Sequence, residues 1–106
     1  MEYKQLPAKE MTIRDLTSSN MRVRLIGTAI SKEENGFMLD DTTGAIKVIC
    51  EKNALTHITE KSTIQALGWV SANASNEMEI RADILTTLNG LNLKLYRRTL
   101  ENTTEN

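Results

Sequence analysis

A chain of 106 residues with a single cysteine and only four aromatic side chains is long enough for one domain with a mostly aliphatic core, and it excludes an internal disulfide or a CxxC metal site. Thirteen basic residues stand against 14 acidic ones, so the net charge of −1 gives no overall field that would draw the protein to nucleic acid or anionic lipid. No apolar run approaches the ~20 residues needed to span a bilayer, and the polar start predicts no secretory signal, so we expect an intracellular protein (cytoplasm, nucleoid or nucleus) that does not bind membranes.

Strand signals dominate from Met21 to Leu88. Residues 21–31 alternate apolar and polar side chains, and Asn35-Gly36 after them is a strong signal for a hairpin turn. Two more strands are predicted around 37–40 and 45–50, a short helix within 51–61 where the period of two is lost, and two further strands at 62–74 and 78–88. The alternation predicts a core of Val23, Leu25, Ala29, Phe37, Leu39, Ile46, Val48, Cys50, Ile64, Ala66 and Val70.

Asp40 and Asp41 raise the question of a paired carboxylate site. Adjacent residues on a strand point to opposite faces, so these two carboxylates do not easily converge on one metal or substrate. Asp and Thr side chains accept hydrogen bonds from nearby backbone N–H groups in tight turns, and Gly44 offers a residue that adopts positive φ. We therefore interpret this stretch as a bend that fixes the register of two strands.

Five strands in this order, with a short helix before the fourth, predict a small Greek-key barrel in which Gly27 and Gly68 permit strong coiling. The segments VRLIGTAISKEENGFMLDDTTGAIKVI and IQALGWV also resemble the OB folds of the replication protein A family, especially its middle and small subunits, and their relatives in telomere-capping and helicase-accessory complexes. The resemblance covers Met21 to about Leu100. It implies an all-β fold, a five-stranded Greek-key OB-fold barrel, followed by a C-terminal helix.

The chain after the barrel is predicted to form that helix at residues 89–102, following Asn89-Gly90. Its apolar side covers about half of the circumference, which is more than packing on a small barrel requires. Replication protein A subunits are held together by such a helix, so the resemblance implies that Leu93, Tyr96 and Leu100 bind a partner; the alternative is a helix that only closes the barrel bottom. The other segments are an N-terminal extension packing on the barrel at 1–20, the barrel at 21–88 and a disordered tail at 103–106.

The outer surface of the barrel carries the candidate binding residues. OB folds bind single strands there through stacking aromatics and basic groups. One stacking residue and three cations make a small nucleic-acid site, whereas the apolar residues among the outward set are typical of a protein interface. We predict phosphate contacts by Arg22, Arg24 and Lys47, base stacking by Trp69, and partner contacts by Ile26 and Leu67, with Met38 and Ile49 also pointing outward.

Catalytic signals are weak throughout the sequence. His57 has no second ligand or acid at a suitable spacing, and Cys50 is predicted to be a buried, inert thiol. We therefore expect that the protein is not an enzyme and that it binds no cofactor or metal.

The leading hypothesis is a non-enzymatic OB-fold subunit of a DNA replication or repair complex. It would assemble with a larger OB-fold, polymerase or helicase subunit or with a second copy, and it would contact single-stranded DNA weakly. The alternatives are a stand-alone single-stranded nucleic-acid-binding protein and a polymerase or helicase accessory subunit that touches no nucleic acid.

Overall fold

The computed structural model describes residues 8–17 and 20–88. The strands are β1 (Lys9–Glu10), β2 (Arg22–Glu33), β3 (Gly36–Asp40), β4 (Ala45–Ile49), β5 (Thr63–Ala72) and β6 (Met78–Thr87), with a 3-10 helix at Ile13–Asp15 and a helix α1 at Lys52–Leu55. The five predicted strands and the short helix are confirmed. The predicted C-terminal helix, with Leu93, Tyr96 and Leu100, and the predicted tail lie outside the described residues.

The sheet closes on itself to form a five-stranded barrel. Its order is β1-β2-β3-β4-β6-β5, and β2 also pairs with β5. Closure is possible because β2 is 12 residues long: its first half pairs with β5, and its second half pairs with β3. The chain crosses from β4 to β5 through α1, and β6 then returns beside β4, with which it pairs in parallel. The Greek-key barrel predicted from the sequence is therefore confirmed.

The residues before the barrel add a short strand that the sequence pattern did not predict. Lys9 and Glu10 pair in parallel with Val23 and Arg24 of β2. The Met11 N–H continues this pairing by donating to the Arg24 carbonyl oxygen at 3.3 Å. Leu16 then inserts its side chain into the barrel core.

The core follows the predicted alternation, with one exception. Cys50 is half-buried and packs against the edge of the core rather than within it, because it follows the last residue of β4 and precedes α1. The fully confirmed core positions are Val23, Leu25, Ala29, Phe37, Leu39, Ile46, Val48, Ile64, Ala66 and Val70.

No helix in the described ranges 8–17 and 20–88 has the length and apolar character needed to cross a membrane.

The turn between β3 and β4 is built by the two aspartates. An Asp40 oxygen accepts the Thr42 N–H at 2.8 Å, and Asp41 Oδ1 accepts the Thr43 N–H at 2.9 Å and the Thr43 hydroxyl at 2.6 Å. Thr42 is the residue with positive φ, at 74°, whereas the φ of Gly44 lies outside the left-handed region, so the prediction for Gly44 was wrong. The interpretation of this stretch as a bend is confirmed.

Gly68 lies at a close approach between the backbones of β5 and β6. A Cβ at this position would overlap the Arg81 carbonyl oxygen and lie 2.8 Å from the Ala82 Cα. The register of the two strands also shifts between Leu67 and Gly68, which is the signature of a bulge. A larger residue here would force the two strands apart.

We expect Gly68→Ala to lower the free energy of unfolding by about 2 kcal/mol, because the added methyl group meets backbone atoms that cannot move aside independently. The matched control is Gly44→Ala, whose Cβ would meet no backbone atom of the described residues and would lie 3.3 Å from Cγ2 of the Ile13 side chain. Urea unfolding of both variants measures the difference. Equal stabilities would show that the two strands separate at little cost.

Candidate functional site

The predicted binding residues lie on one continuous outer surface of the barrel. Cross-strand pairing places Ile49, Arg81, Trp69 and Arg22 side by side on β4, β6, β5 and β2. Two residues earlier on β4, the outward Lys47 pairs with Met38 on β3 and with Glu79 on β6. Arg24 on β2 pairs with Leu67 on β5. The structure therefore brings the predicted residues onto a common face.

Arg22 is buried on this face, although an exposed position was expected. Its side chain is only 6% exposed, and its guanidinium is bonded to the Asp83 carboxylate. The same guanidinium lies over the Trp69 ring, 5.9 Å from the ring centroid, in a cation–π arrangement. Because a carboxylate and an indole ring already surround it, Arg22 presents little free charge to a ligand.

The other two predicted cations also have carboxylate partners. Arg24 contacts Glu10 of β1 at 3.5 Å, and Lys47 contacts Glu33 of β2 at 2.6 Å between Nζ and Oε1. Both pairs are partly exposed, so they are individually weak, but each carboxylate cancels much of the local positive potential. All three predicted phosphate contacts are thus charge-compensated within the chain.

The predicted partner residues differ in their exposure. Ile26 is 6% exposed, so the expectation of an exposed side chain is wrong: alternation places it on the outer face but cannot tell whether that position is covered. Leu67 is half-buried and pairs with Ile84 on β6, which is 51% exposed and was not predicted. Leu67 and Ile84 therefore form a small apolar patch on the outer surface.

Arg81 is the main residue that sequence reasoning missed. It is exposed, lies between Ile49 and Trp69 on neighbouring strands, and has no ion-pair partner within residues 8–17 and 20–88. The alternation of MEIRADI, in which Ile80 points into the core, is the signal that would have identified it as outward.

A groove lies at the end of this surface, between the outer side of β3 and β4 and the turn that joins β5 to β6. It encloses a cavity of about 300 Å³. The described lining residues combine apolar side chains with an amide, a cation and two carboxylates: Met38, Ala45, Ile46, Met78, Asn73, Lys47, Glu77 and Glu79. None of its described lining residues is aromatic, so the groove itself offers no surface for base stacking.

Cys50 lines a second cavity, of about 320 Å³, together with Asp83 and Leu85. Partial burial raises the pKa of its thiol, and the neighbouring Glu51 carboxylate raises that pKa further. The thiol therefore stays protonated and weakly nucleophilic at neutral pH. In the part of the chain that the structure describes, no three His, Cys, Asp or Glu side chains come together in an arrangement able to hold a metal ion.

The geometry of the barrel has clear counterparts among solved structures, although the chain matches no protein-family model and no curated protein sequence. A chain of the S. pombe Stn1–Ten1 complex is 15% identical, with a TM-score of 0.71 and 96% of each chain covered. The S. pombe telomere capping protein Ten1 is 15% identical, with a TM-score of 0.70 over 94% of this chain and 100% of that chain. The second OB-fold domain of replication protein A from Methanococcus maripaludis is 17% identical, with a TM-score of 0.63 over 79% of this chain and 99% of that chain. At such low identities the likeness establishes the architecture alone, and we conclude that this chain has the OB fold.

Proposed function

We propose that this protein is a non-enzymatic subunit of a DNA replication, repair or telomere complex and that it acts mainly through contacts with other protein subunits. The similar structures support this proposal because they include a two-protein complex and an OB-fold domain of replication protein A. The same fold serves unrelated functions in other proteins, so the argument depends on the residues of the outer surface.

The observation that carries the proposal is the pairing of Arg22, Arg24 and Lys47 with carboxylates. Affinity for single strands comes largely from neutralised phosphates, and each contact of this kind contributes to the salt dependence of binding. A phosphate that bound Arg22 would have to displace the Asp83 carboxylate from a buried guanidinium. The phosphate would lose water on entering that position, which costs free energy. A surface built in this way is poorly suited to hold nucleic acid by itself.

One observation favours the second candidate function, direct contact with single-stranded DNA. The exposed Arg81 lies beside Trp69, which is half-buried. A guanidinium next to an indole ring is the minimal arrangement for holding one phosphate and stacking one base. Such a contact is too small to act alone, but it adds to the contacts of a partner subunit in an assembled complex.

We expect the isolated protein to bind a fluorescein-labelled 20-nucleotide oligo-dT only weakly, with a Kd above about 10 μM at physiological salt. The reason is that Arg81 is the arginine of this outer surface for which the described residues provide no carboxylate partner. The slope of log affinity against log salt should be about −0.7, the value expected when one phosphate of a single strand is neutralised. Fluorescence anisotropy at several salt concentrations measures both quantities. Arg81→Ala should weaken the binding seen at low salt, whereas Lys52→Ala on α1, with the same loss of charge, should not.

Submicromolar binding at physiological salt would contradict the proposal and favour the stand-alone nucleic-acid-binding protein. The assembly role itself is tested by affinity purification from the native host. We expect a stoichiometric partner that is itself an OB-fold, polymerase or helicase subunit. Recovery of the protein alone, without a stoichiometric partner, would count against a subunit role.

A further inference from the structure

The groove between β3, β4 and the β5–β6 turn has an apolar floor. On the outer side of the β3–β4 pair, Met38 lies opposite Lys47, and Ala45 lies two residues before Lys47 on the same face of β4. Met78 lines the groove from the start of β6. Met78 is 37% exposed, so its side chain is accessible from solvent. Flexible methionine side chains are common on surfaces that adapt to an apolar ligand.

The rim of the groove is acidic. The Asn73 amide donates to Glu77 at 3.2 Å and to Glu79 at 3.3 Å, so one side chain holds both carboxylates at the same edge. The cation among the lining residues, Lys47, is already paired with Glu33. Among the described residues, neither Glu77 nor Glu79 has an ion-pair partner, although Glu79 faces Lys47 across the β4–β6 pair. The carboxylates of the described lining outnumber its cation, so their field attracts a positive group and repels a phosphate.

The floor of the groove also includes backbone groups that the described β4–β6 pairing does not use. The pairing of β4 with β6 begins only at Lys47 and Glu79, which leaves Ala45 without a paired residue on β6. The Asp41 N–H donates to the Gly44 carbonyl oxygen, so Asp41 and Gly44 form a hydrogen-bonded pair. Hydrogen-bonded and non-hydrogen-bonded pairs alternate along antiparallel strands, so the next pair, Asp40 and Ala45, is not hydrogen-bonded. The N–H and C=O of Ala45 therefore point away from β3. An extended peptide that enters the groove meets a backbone donor and acceptor there.

We propose that this groove binds an extended segment of a partner protein that carries a lysine or arginine beside an apolar side chain. The inference rests on the assembly role proposed above and specifies its partner. The apolar side chain lies on the Met38, Ala45 and Met78 floor, the cation pairs with the Glu77 and Glu79 carboxylates, and the peptide backbone reaches Ala45. Nucleic acid is excluded from the same groove by its charge.

The test is selection of a random 12-residue peptide library, displayed on phage, against the immobilised wild-type protein. We expect the enriched peptides to carry Lys or Arg next to Leu, Ile, Val, Met or Phe. The enriched peptide, made synthetically with a fluorescent label, should lose about tenfold or more in affinity for the Glu77→Gln/Glu79→Gln variant and should bind more weakly as salt rises. The matched control is Glu51→Gln/Glu60→Gln, which makes the same change in net charge away from the groove and should change affinity less than twofold.

Several outcomes would overturn the inference. Selection of acidic peptides, the absence of any enriched sequence, or equal losses in the two double variants would each show that the groove does not recognise a basic segment. Failure of the proposed assembly role gives a different result, tight binding of oligo-dT by the wild-type protein at physiological salt. Circular dichroism of both double variants confirms that they remain folded, so a loss of affinity reports on the groove.

Discussion

Replacing Asp41 with alanine is expected to lower the free energy of unfolding by about 4 kcal/mol, a large fraction of the stability of a domain of this size. The Asp41 side chain is fully buried. Its carboxylate accepts the Ile13 N–H at 2.7 Å, across 28 positions of sequence, in addition to both Thr43 donors. Removing it leaves these donors without their acceptor. The hydrogen bond from the Arg14 N–H to Thr43 Oγ1, at 3.1 Å, then remains as the described hydrogen bond between the 3-10 helix and the β3–β4 turn.

The neighbouring aspartate provides a matched control. Asp40 is half-buried and accepts the Thr42 N–H at 2.8 Å, so Asp40→Ala should cost about 1 kcal/mol. Urea unfolding followed by the fluorescence of the single tryptophan compares the two variants. Similar losses would mean that the N-terminal segment contributes little to stability. Asp41→Asn, which keeps one acceptor oxygen, should fall between the wild type and Asp41→Ala.

The alternation of apolar residues predicted the strands of the barrel and most of their inward positions, because a closed sheet has only one interior face. Phe37 and Leu39 illustrate this: the period of two placed both in the core, and both are fully buried. The alternation did not predict the core residues Leu16, Leu55, Ile58 and Ile80, of which the first three lie outside the barrel strands. The hairpin predicted around Asn35-Gly36 also joins β2 to β3, but its two turn residues are Glu34 and Asn35. Gly36 is the first residue of β3, and neither Asn35 nor Gly36 has a φ in the left-handed region.

The electrostatics of the outer surface could not be predicted in the same way. The partners of Arg22, Arg24 and Lys47 are determined by pairing across the barrel and by the added strand β1; Asp83, for example, lies 61 positions after Arg22. A sequence pattern shows that a residue points outward but does not show which carboxylate it meets. The prediction that Gly44 would adopt the positive φ was wrong for a related reason. Hydrogen bonds to Asp40 and Asp41 determine the conformation of that turn, and they place the positive φ at Thr42.

The second large effect is expected at Asp83. Its removal leaves the Arg22 guanidinium, in a side chain that is 6% exposed, without its carboxylate. Breaking a buried ion pair from one side costs about 3–5 kcal/mol, and because Asp83 is itself 43% exposed we expect the lower value, about 3 kcal/mol. The Arg22→Met/Asp83→Ala double variant should recover most of this loss, since an apolar side chain of similar length needs no partner.

Urea unfolding of the two single variants and the double variant gives the coupling energy between Arg22 and Asp83. Glu33→Ala is the control, because it breaks the more exposed pair with Lys47 and should cost less than about 1 kcal/mol. If Asp83→Ala lowers the free energy of unfolding no more than Glu33→Ala does, the Arg22 guanidinium becomes exposed to solvent when its partner is removed. The same variant should then bind oligo-dT more tightly than the wild type, and the Arg22–Asp83 pair would be the feature that suppresses nucleic-acid binding on this face rather than one that stabilises the barrel.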